Sequence, residues 1–302
     1  MATLTKRHAV FACIVAASLV VNGRTISELV TYAFSDQSYS HIVVIPLISA
    51  FLVYTERRAI FLETHSSIGL GTGIAFAGIL AGWATVRFLL VPNSNDSLSA
   101  AALSLVVLWI GGFLACYGGR AMRAAIFPLL FLVLMVPLPG PILARTISLL
   151  QRGSTDVAYF TIKSVGVPVL RQGLFLSLPG LRIEIATECS GIRSSMALLI
   201  TCLLAAHFFL RTPWKMFVFV ALALPLAVVK NGVRIATLAI LSVYVDHGFL
   251  SGRLHREGGF VFFFLMLAVL WPILIFLQRS ENRGDPLKSV ETEKTGSELA
   301  RG

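Results

Sequence analysis

Three kinds of reactive side chain lie within or next to apolar segments of this chain, and the first is a thiol. Cys189 lies in the stretch ECSGIR at 188–193, just before an apolar run, which predicts a position at the N-terminal end of a membrane helix. A helix N-terminus and the nearby Arg193 favour the nucleophilic thiolate, whereas the negative charge of the adjacent Glu188 opposes it. A lone cysteine is more often an inert small hydrophobic residue, so both interpretations stay open.

The second reactive group is the guanidinium of Arg234. It belongs to the polar stretch KNGVR at 230–234, inside an otherwise apolar run of residues 216–245. A charge in lipid is costly unless it faces protein or water, so an arginine within a membrane segment indicates function by default. Arg234 is suited to binding a carboxylate or stabilising an oxyanion. The alternative is a cation that reaches the interface and anchors its helix.

The third reactive group is an imidazole. His255 lies in RLHREGG at 253–259, just before the last apolar run, and His247 beside Asp246 is a competitor eight positions earlier. Either histidine can act as a general acid or base near neutral pH, and spacing alone does not choose between them. If the thiol, the guanidinium and one imidazole share a membrane face, they would make a site for acyl transfer: the thiolate attacks a peptide carbonyl, histidine protonates the leaving amine and arginine steadies the oxyanion.

The composition limits the class of protein that holds these residues. Of 302 residues, 56% are hydrophobic and 13% are charged, and the mean hydropathy is +0.83. These values exclude a soluble cytosolic enzyme. The net charge of +10 sits in short clusters between apolar runs, which is typical of cytoplasmic membrane loops and predicts no nucleic-acid partner. The four cysteines show neither a CxxC pair nor zinc-ligand spacing, so no metal site is predicted.

The apolar runs predict an all-α, polytopic membrane protein with about eight transmembrane helices. The predicted spans are 9–21, 42–54, 68–91, 98–117, 124–138, 194–210, 216–245 and 259–277. The first is interpreted as an uncleaved signal anchor, and the fifth ends in PLPGP at 137–141, a strong helix stop. Residues 1–277 would form one transmembrane domain, and residues 278–302 a disordered polar cytoplasmic tail.

The segment 142–188 mixes charged and apolar residues, so it is predicted to lie on the outer face as an amphipathic interfacial helix followed by a short extended piece. The stretch LRIEI at 181–185 alternates with period two, as a strand does. The positive-inside rule places the short basic loops in the cytoplasm and this segment outside. Those loops hold Lys6, Arg7, Arg57, Arg58, Arg120, Arg123, Arg211 and Lys215.

The run 216–245 is too long for one upright span and short for two. A single crossing, broken or tilted near Pro225 or Gly232, puts Cys189, Arg234 and His255 on one side of the membrane. The charges of Lys230 and Arg234 favour this single crossing, with an outer part that is irregular or interfacial.

The chain resembles the exosortase/archaeosortase family of integral-membrane cysteine transpeptidases. The matching motifs occur in the family's order over roughly residues 6–277. The matching stretches are ECSGIRS at 188–194, NGVRI at 231–235, His255 with Gly258 and Gly259, DQSYSH at 36–41, PLIS at 46–49 with Arg57 and Arg58, and 131–139 closing in Pro-Leu-Pro. One departure is Ile42, which follows His41 where the family often has glycine.

The resemblance implies Cys189 as nucleophile, Arg234 as essential arginine and His255, rather than His247, as catalytic histidine. The accessory or substrate-binding residues would be Glu188, Arg193, Asn231, Asp36 and His41. No cofactor or metal is implied.

The family's substrates are exported proteins with a C-terminal signal: a short motif such as Pro-Glu-Pro, a transmembrane helix and a basic cluster. The resemblance thus implies cleavage through a thioester on Cys189 and transfer to a surface acceptor, such as a lipid or polysaccharide. The bacterial branch of the family implies an inner (plasma) membrane enzyme, in contact with lipid, whose active site faces the periplasm; an archaeal membrane is the alternative.

Two other classes compete with this interpretation. In a transporter or a non-catalytic polysaccharide-export subunit, Arg234 and His255 would line a pathway or anchor helices, but the sequence shows no pair of related halves with broken helices. In a peptidase that cuts within the bilayer, the reactive residues would lie deeper than span ends.

Overall fold

A computed structural model describes residues 2–35, 39–84, 87, 95–250 and 253–282. Within these ranges the chain is mainly helical, with one small sheet. The helices are α1 (Ala2–Val21), α2 (Gly23–Ser35), α3 (His41–Thr55), α4 (Arg57–Ile60), α5 (Ile68–Ala84), α6 (Asn95–Ala124), α7 (Ile126–Phe131), α8 (Gly140–Ser164), α9 (Ile192–Phe209), α10 (Pro213–Ala221), α11 (Ala223–Tyr244) and α12 (Arg253–Asn282). The strands are β1 (Leu170–Gln172), β2 (Phe175–Leu178) and β3 (Leu181–Glu184), and 3-10 turns occupy Leu132–Met135, Thr187–Ser190 and His247–Leu250.

The predicted polytopic all-α membrane fold is confirmed, but a count of eight spans is not. Five helices of the described chain are long and apolar enough to cross a bilayer: Leu4–Val21, Asn95–Ala124, Thr187–Phe209, Pro213–Tyr244 and Gly259–Glu281. A sixth span exists if Ile126–Met135 and Gly140–Ser164, bent by 88° at the Pro-Leu-Pro-Gly stretch, count as one. The spans predicted at 42–54 and 68–91 correspond to the shorter helices α3 and α5, and residues 85–86 and 88–91 of the latter lie outside the described residues.

The chain divides into two compact units, Met1–Ala144 and Arg145–Gly302. In the first unit, glycines bring α5 and α6 into backbone contact: a Cβ at Gly71 would lie 2.3 Å from the backbone nitrogen of Ala115. The start of α6 also holds the proline-rich stretch, because the Asp96 carboxylate accepts a hydrogen bond from the Gly140 amide at 2.5 Å. The Asn95 amide donates to the Leu138 carbonyl at 2.8 Å.

The second unit has two apolar clusters at different levels of α11. The first half of α11 packs with α9, α10 and α12 in a cluster of aliphatic side chains, which suits helices in lipid. Its buried members include Leu198, Cys202, Phe219, Ala223, Ala227, Met266 and Leu270. The second half of α11 packs with α8 and the sheet, around Ala158, Ile162, Leu176, Ile185, Ile235 and Ala239. The residues between these clusters, on α11, are those of the polar stretch 230–234.

The prediction of an irregular outer part in the run 216–245 is wrong, because α11 is helical from Ala223 to Tyr244. The helix is divided only at Leu222, whose φ of −67° and ψ of −19° are still right-handed helical, and Pro213–Tyr244 forms one candidate span of 32 residues. Neither Pro225 nor Gly232 breaks the helix. The polar stretch stays helical because protein surrounds it: Lys230, Asn231 and Gly232 are all buried. This continuous helix favours a single crossing.

The helix α12 is longer than predicted at both ends. It begins at Arg253, so His255 lies in its first turn rather than in a loop. It ends at Asn282, five residues beyond the predicted domain limit at Leu277, and the Glu281 carboxylate accepts hydrogen bonds from the amides of Arg211 and Thr212 at 3.0 and 2.8 Å. These two amides precede α10, where helix N–H groups have no intrahelical partner. The predicted tail at 283–302 lies outside the described residues.

The sheet confirms the strand predicted from the alternating stretch 181–185 and adds two that were not predicted. Strands β1, β2 and β3 pair antiparallel in that order, so β3 is an edge strand. Leu181 and Ile183 face inward and Arg182 and Glu184 outward, as the alternation requires. Strands β1 and β2 are three and four residues long, too short for a periodic pattern to identify.

The close approach of α8 and α11 predicts that a side chain at Gly232 destabilises the protein. A Cβ there would lie 2.5 Å from the Val157 Cβ and 2.9 Å from the Ser154 carbonyl oxygen. We expect Gly232→Ala to lower the free energy of unfolding by about 1–3 kcal/mol, because the two helices must separate. Gly73→Ala in α5, where nothing lies within 4 Å, is the matched control and should be neutral or slightly stabilising. Equal thermal unfolding midpoints in detergent for the two variants would contradict this packing.

Candidate active site

Cys189 sits on a tight turn between the sheet and a membrane helix. The chain leaves β3, forms the 3-10 turn Thr187–Ser190, and enters α9 through Gly191, whose φ of 76° is left-handed. The Cys189 amide donates to the Ala186 carbonyl at 3.0 Å, which closes the turn. The cysteine is partly buried against the α8–sheet–α11 cluster. Cys189 lies three residues before Ile192, the first residue of α9, close to the predicted N-terminal position.

The serines that follow the cysteine hold the start of α9. The hydroxyls of Ser194 and Ser195 both donate to the Gly191 carbonyl, at 3.0 and 2.9 Å, and the Ser195 amide donates to the same oxygen at 2.9 Å. Ser190 is fully buried. These bonds account for the small polar residues around Cys189, since they stabilise the left-handed entry into the helix.

Asn231 of α11 fastens the cysteine turn to the rest of the second unit. Its side-chain amide donates to the Cys189 carbonyl at 2.9 Å and to the Ser154 hydroxyl of α8 at 3.0 Å. Asn231 is 1% exposed, so these bonds form away from water, where losing one is expensive. One side chain thus ties three elements together at the reactive residue.

Arg234 lies three residues beyond Asn231 on α11, and its charge acts on the Cys189 thiol. The two side chains are therefore close in space. Burial of the thiol disfavours the thiolate, and the fixed positive charge of Arg234 opposes that effect. The charge of Glu188, which is exposed, acts on the thiol in the opposite sense. The sequence analysis expected Arg193 to oppose Glu188 at the sulfur, whereas in the structure the opposing cation is Arg234.

Lys230 adds a second cation to this part of α11. It is 3% exposed, and its ammonium has no hydrogen-bond partner among the described side chains and backbone. Lys230 and Arg234 are four residues apart, on one face of the helix, and their charges interact. Two cations side by side in a protein interior produce a field that suits a negatively charged group.

The other predicted site residues are placed as follows. His255 is in the first turn of α12, a helix that packs against α9 and α11, but its side chain lies outside the described part, as does that of His247. Arg193 is exposed in the first turn of α9. His41 begins α3 in the first unit and is partly buried, and Asp36 lies outside the described residues. The structure thus brings together Cys189, Asn231 and Arg234, with Glu188 beside them.

Two residues of α8 were missed by sequence reasoning. Ser154 holds Asn231, and the Gln151 amide donates to the Ile185 carbonyl at 2.8 Å, which anchors the chain between β3 and the cysteine turn. Gln151 and Ser154 are both buried. Their spacing of three residues places them on one helix face, which the sequence alone could have indicated. The charged residues of the same helix favoured an interfacial position instead, so these two polar residues were not singled out.

A side chain at Gly191 is expected to disturb the cysteine turn, because the backbone of Gly191 is left-handed and lies in contact with Asn231. A Cβ at Gly191 would lie 2.8 Å from the Asn231 Cγ. We expect Gly191→Ala to displace Asn231 and the Cys189 carbonyl, and so to change the rate at which iodoacetamide alkylates Cys189 by at least about threefold. Peptide mass spectrometry would follow the alkylation.

Gly180 in the β2–β3 turn is the matched control for that change. Its φ of 72° is the same within a few degrees, yet nothing lies within 4 Å of a Cβ there. Gly180→Ala should therefore lose only about 1–2 kcal/mol of stability through left-handed strain, with Cys189 alkylation unchanged. Equal alkylation rates in both alanine variants would mean that Asn231 does not hold the turn.

Asn231→Asp is expected to slow alkylation of Cys189 by about tenfold. The carboxylate cannot donate to the Cys189 carbonyl, and its negative charge beside the sulfur disfavours the thiolate. Ser154→Ala removes one of the two hydrogen bonds of Asn231 and leaves the bond to Cys189, so we expect a change of less than about threefold. An Asn231→Asp protein alkylated as fast as Ser154→Ala would contradict the assigned contact.

A comparison with known proteins identifies the family of this chain. The family described as transmembrane exosortase matches residues 31–272, about four-fifths of the chain. The match includes the whole cysteine turn, α9, α10 and α11, and most of α12. No curated protein and no solved structure matches. The extent of the family match, over a polytopic helical fold with the cysteine turn held beside Arg234, shows that this chain belongs to the transmembrane exosortase family.

Proposed function

We propose that this protein is a membrane-embedded cysteine transpeptidase that cleaves the C-terminal sorting signal of exported proteins and transfers them to a surface acceptor. The observation that carries the proposal is the hydrogen bond by which Asn231 holds the Cys189 carbonyl, three residues before Arg234, whose charge acts on the thiol. A nucleophile beside a fixed cation is the minimum that acyl transfer needs.

The proposed reaction proceeds in two steps, formation of a thioester and its transfer. The Cys189 sulfur attacks the carbonyl carbon of the substrate peptide bond, and the thiol proton passes to His255. The carbon–nitrogen bond then breaks, His255 returns the proton to the leaving amine, and a thioester remains on Cys189. A nucleophilic acceptor, or water, then attacks the thioester carbonyl carbon and gives its proton to His255. The carbon–sulfur bond breaks, and His255 passes the proton to the Cys189 sulfur, which restores the thiol.

Arg234 would stabilise the negative oxygen of each tetrahedral intermediate. Its guanidinium is permanently charged and partly buried, so its field is less screened than at the protein surface. Lys230 would strengthen that field from one turn away, because it is buried on the same helix face. The oxyanion carries more charge than the ground-state carbonyl, so both cations favour the transition state over the substrate.

The site would face the periplasm of a bacterial inner membrane. The basic loops assigned to the cytoplasm include Arg211 and Lys215, at the start of α10, and Cys189 lies at the opposite end of α9. A substrate helix in the bilayer could then dock laterally and present the peptide before it at the height of Cys189. The substrates would be exported proteins with a short motif, a transmembrane helix and a basic cluster.

The experiment that tests this function compares the C-termini of exported proteins in the native host with and without the gene. Mass spectrometry of C-terminal peptides should show shortened C-termini only in the strain that has the gene, and the cut sites would define the motif. A thioester intermediate should also be released from the protein by hydroxylamine at neutral pH. Identical C-termini in both strains would reject the transpeptidase and favour a non-catalytic membrane subunit.

A further inference from the structure

The strand that leads to the cysteine turn has a free edge. β3 pairs with β2 on one side, and no other strand of the described chain pairs with its outer edge. An edge strand presents unpaired N–H and C=O groups, which another extended chain can bind. Proteins usually keep such edges short or cover them, so the open edge of β3, close to Cys189, is a candidate surface for binding an extended peptide.

The hydrogen-bond register identifies which backbone groups face outward. The Ile185 amide donates to the Leu174 carbonyl at 3.0 Å, so the N–H group of Ile185 points toward β2. The direction of the backbone groups alternates along an antiparallel strand, so the N–H and C=O groups of Ile183, which pairs with Leu176, also point toward β2. The N–H and C=O groups of Arg182 and Glu184 therefore point away from the sheet.

This edge runs directly to the nucleophile. Glu184 is the last residue of β3, and Cys189 follows five positions later, across a turn closed by the bond between the Cys189 amide and the Ala186 carbonyl. The inner face of β3 is fixed by Leu181 and Ile183 against the core, and Gln151 holds the Ile185 carbonyl. The edge is thus rigid relative to the cysteine turn, as a surface that presents a peptide to the sulfur should be.

We propose that the extended segment of the substrate just before the cleaved bond pairs with β3 as a fourth strand. This inference rests on the proposed function and names how its substrate is held. Because that segment runs toward Cys189, as β3 does, the added strand is parallel to β3. Arg182 and Glu184 each offer one N–H and one C=O group, so main-chain bonds provide the binding and the substrate side chains that face the protein provide the specificity.

Proline scanning of the edge tests the pairing. Arg182→Pro and Glu184→Pro each remove an outward donor and leave the bonds to β2 intact, so we expect the cleavage of an exported protein identified by C-terminal mass spectrometry to fall by at least about tenfold. Alkylation of Cys189 by iodoacetamide should stay at the wild-type rate, which shows that the turn is intact.

Arg171→Pro is the matched control on the opposite edge of the sheet. Arg171 pairs with Leu176, whose backbone groups point toward β3, so the Arg171 N–H also faces away from the sheet. This variant should cleave within about twofold of wild type, since the partly exposed ion pair of Arg171 with Asp156 contributes little.

Normal cleavage by Glu184→Pro, in a strain where Cys189→Ala is inactive, would overturn the edge pairing and leave the proposed function standing. Loss of cleavage together with a changed alkylation rate would overturn it too, because the strand would then only position the turn.

Disulfide trapping gives a positive result for the same pairing. In a Cys189→Ala background, Arg182→Cys should crosslink to cysteines placed at alternate positions before the cleavage site of the same exported protein, because side chains alternate along paired strands. Glu184→Cys in place of Arg182→Cys should shift the best substrate position by two residues toward the cut. Crosslinking without this period of two, or a shift in the opposite direction, would contradict a parallel fourth strand.

Discussion

Cys189→Ala is expected to abolish processing of exported proteins, with a loss of at least about a thousandfold. Without the sulfur no thioester forms, and the remaining groups provide only the charge stabilisation of Arg234. C-terminal mass spectrometry of exported proteins, with the variant at the wild-type level in the membrane, measures the effect. Unprocessed C-terminal signals should accumulate in the variant.

Cys202→Ala in α9 is the matched control for this change. Cys202 is 1% exposed and packs among the aliphatic side chains of α9, α10, α11 and α12, so its replacement leaves only a small cavity. Processing should stay close to the wild-type level. If Cys189→Ala processed its substrates normally, Cys189 would lose its assignment as nucleophile, and a transport or non-catalytic role would become the better hypothesis.

Arg234→Gln is expected to reduce processing by about a hundredfold to a thousandfold. The amide has no charge to stabilise a tetrahedral oxyanion, and removal of one such donor has an effect of this size in other acyl-transfer sites. Arg234→Lys should recover part of the loss, because the charge remains while the planar, five-donor geometry does not. Rates of processing in membranes that contain equal amounts of each variant provide the measurement.

Two controls separate the role of Arg234 from a general effect of charge. Arg193→Gln removes an exposed cation in the first turn of α9 and should change processing by less than about threefold, since exposed charges are screened by solvent. Arg234→Gln should also slow Cys189 alkylation, because the cation that acts on the thiol is gone. Equal losses in the Arg193 and Arg234 variants, or rapid alkylation in Arg234→Gln, would contradict a direct role at the sulfur.

Much of this site could be predicted from local sequence. Cys189 before an apolar run, Arg234 within one, and the alternation of residues 181–185 all act through neighbours a few residues away, and the structure places each near its predicted position. The regular helix at 230–234 could not be predicted in that way. Its polar residues indicate an interruption when only lipid is considered, whereas α8 and the cysteine turn give Asn231 its partners.

The sequence by itself determined the membrane class of the protein, the order of its apolar helices and its short list of reactive residues, because apolar length and local charge act along the chain. Only the tertiary structure decided which of these residues meet. The hydrogen bond from Asn231 to Cys189 spans 42 positions and that from Asn231 to Ser154 spans 77, and no local pattern encodes such a separation. The exposed edge of β3 was decided in the same way, since strand pairing and the packing around it depend on contacts between distant segments.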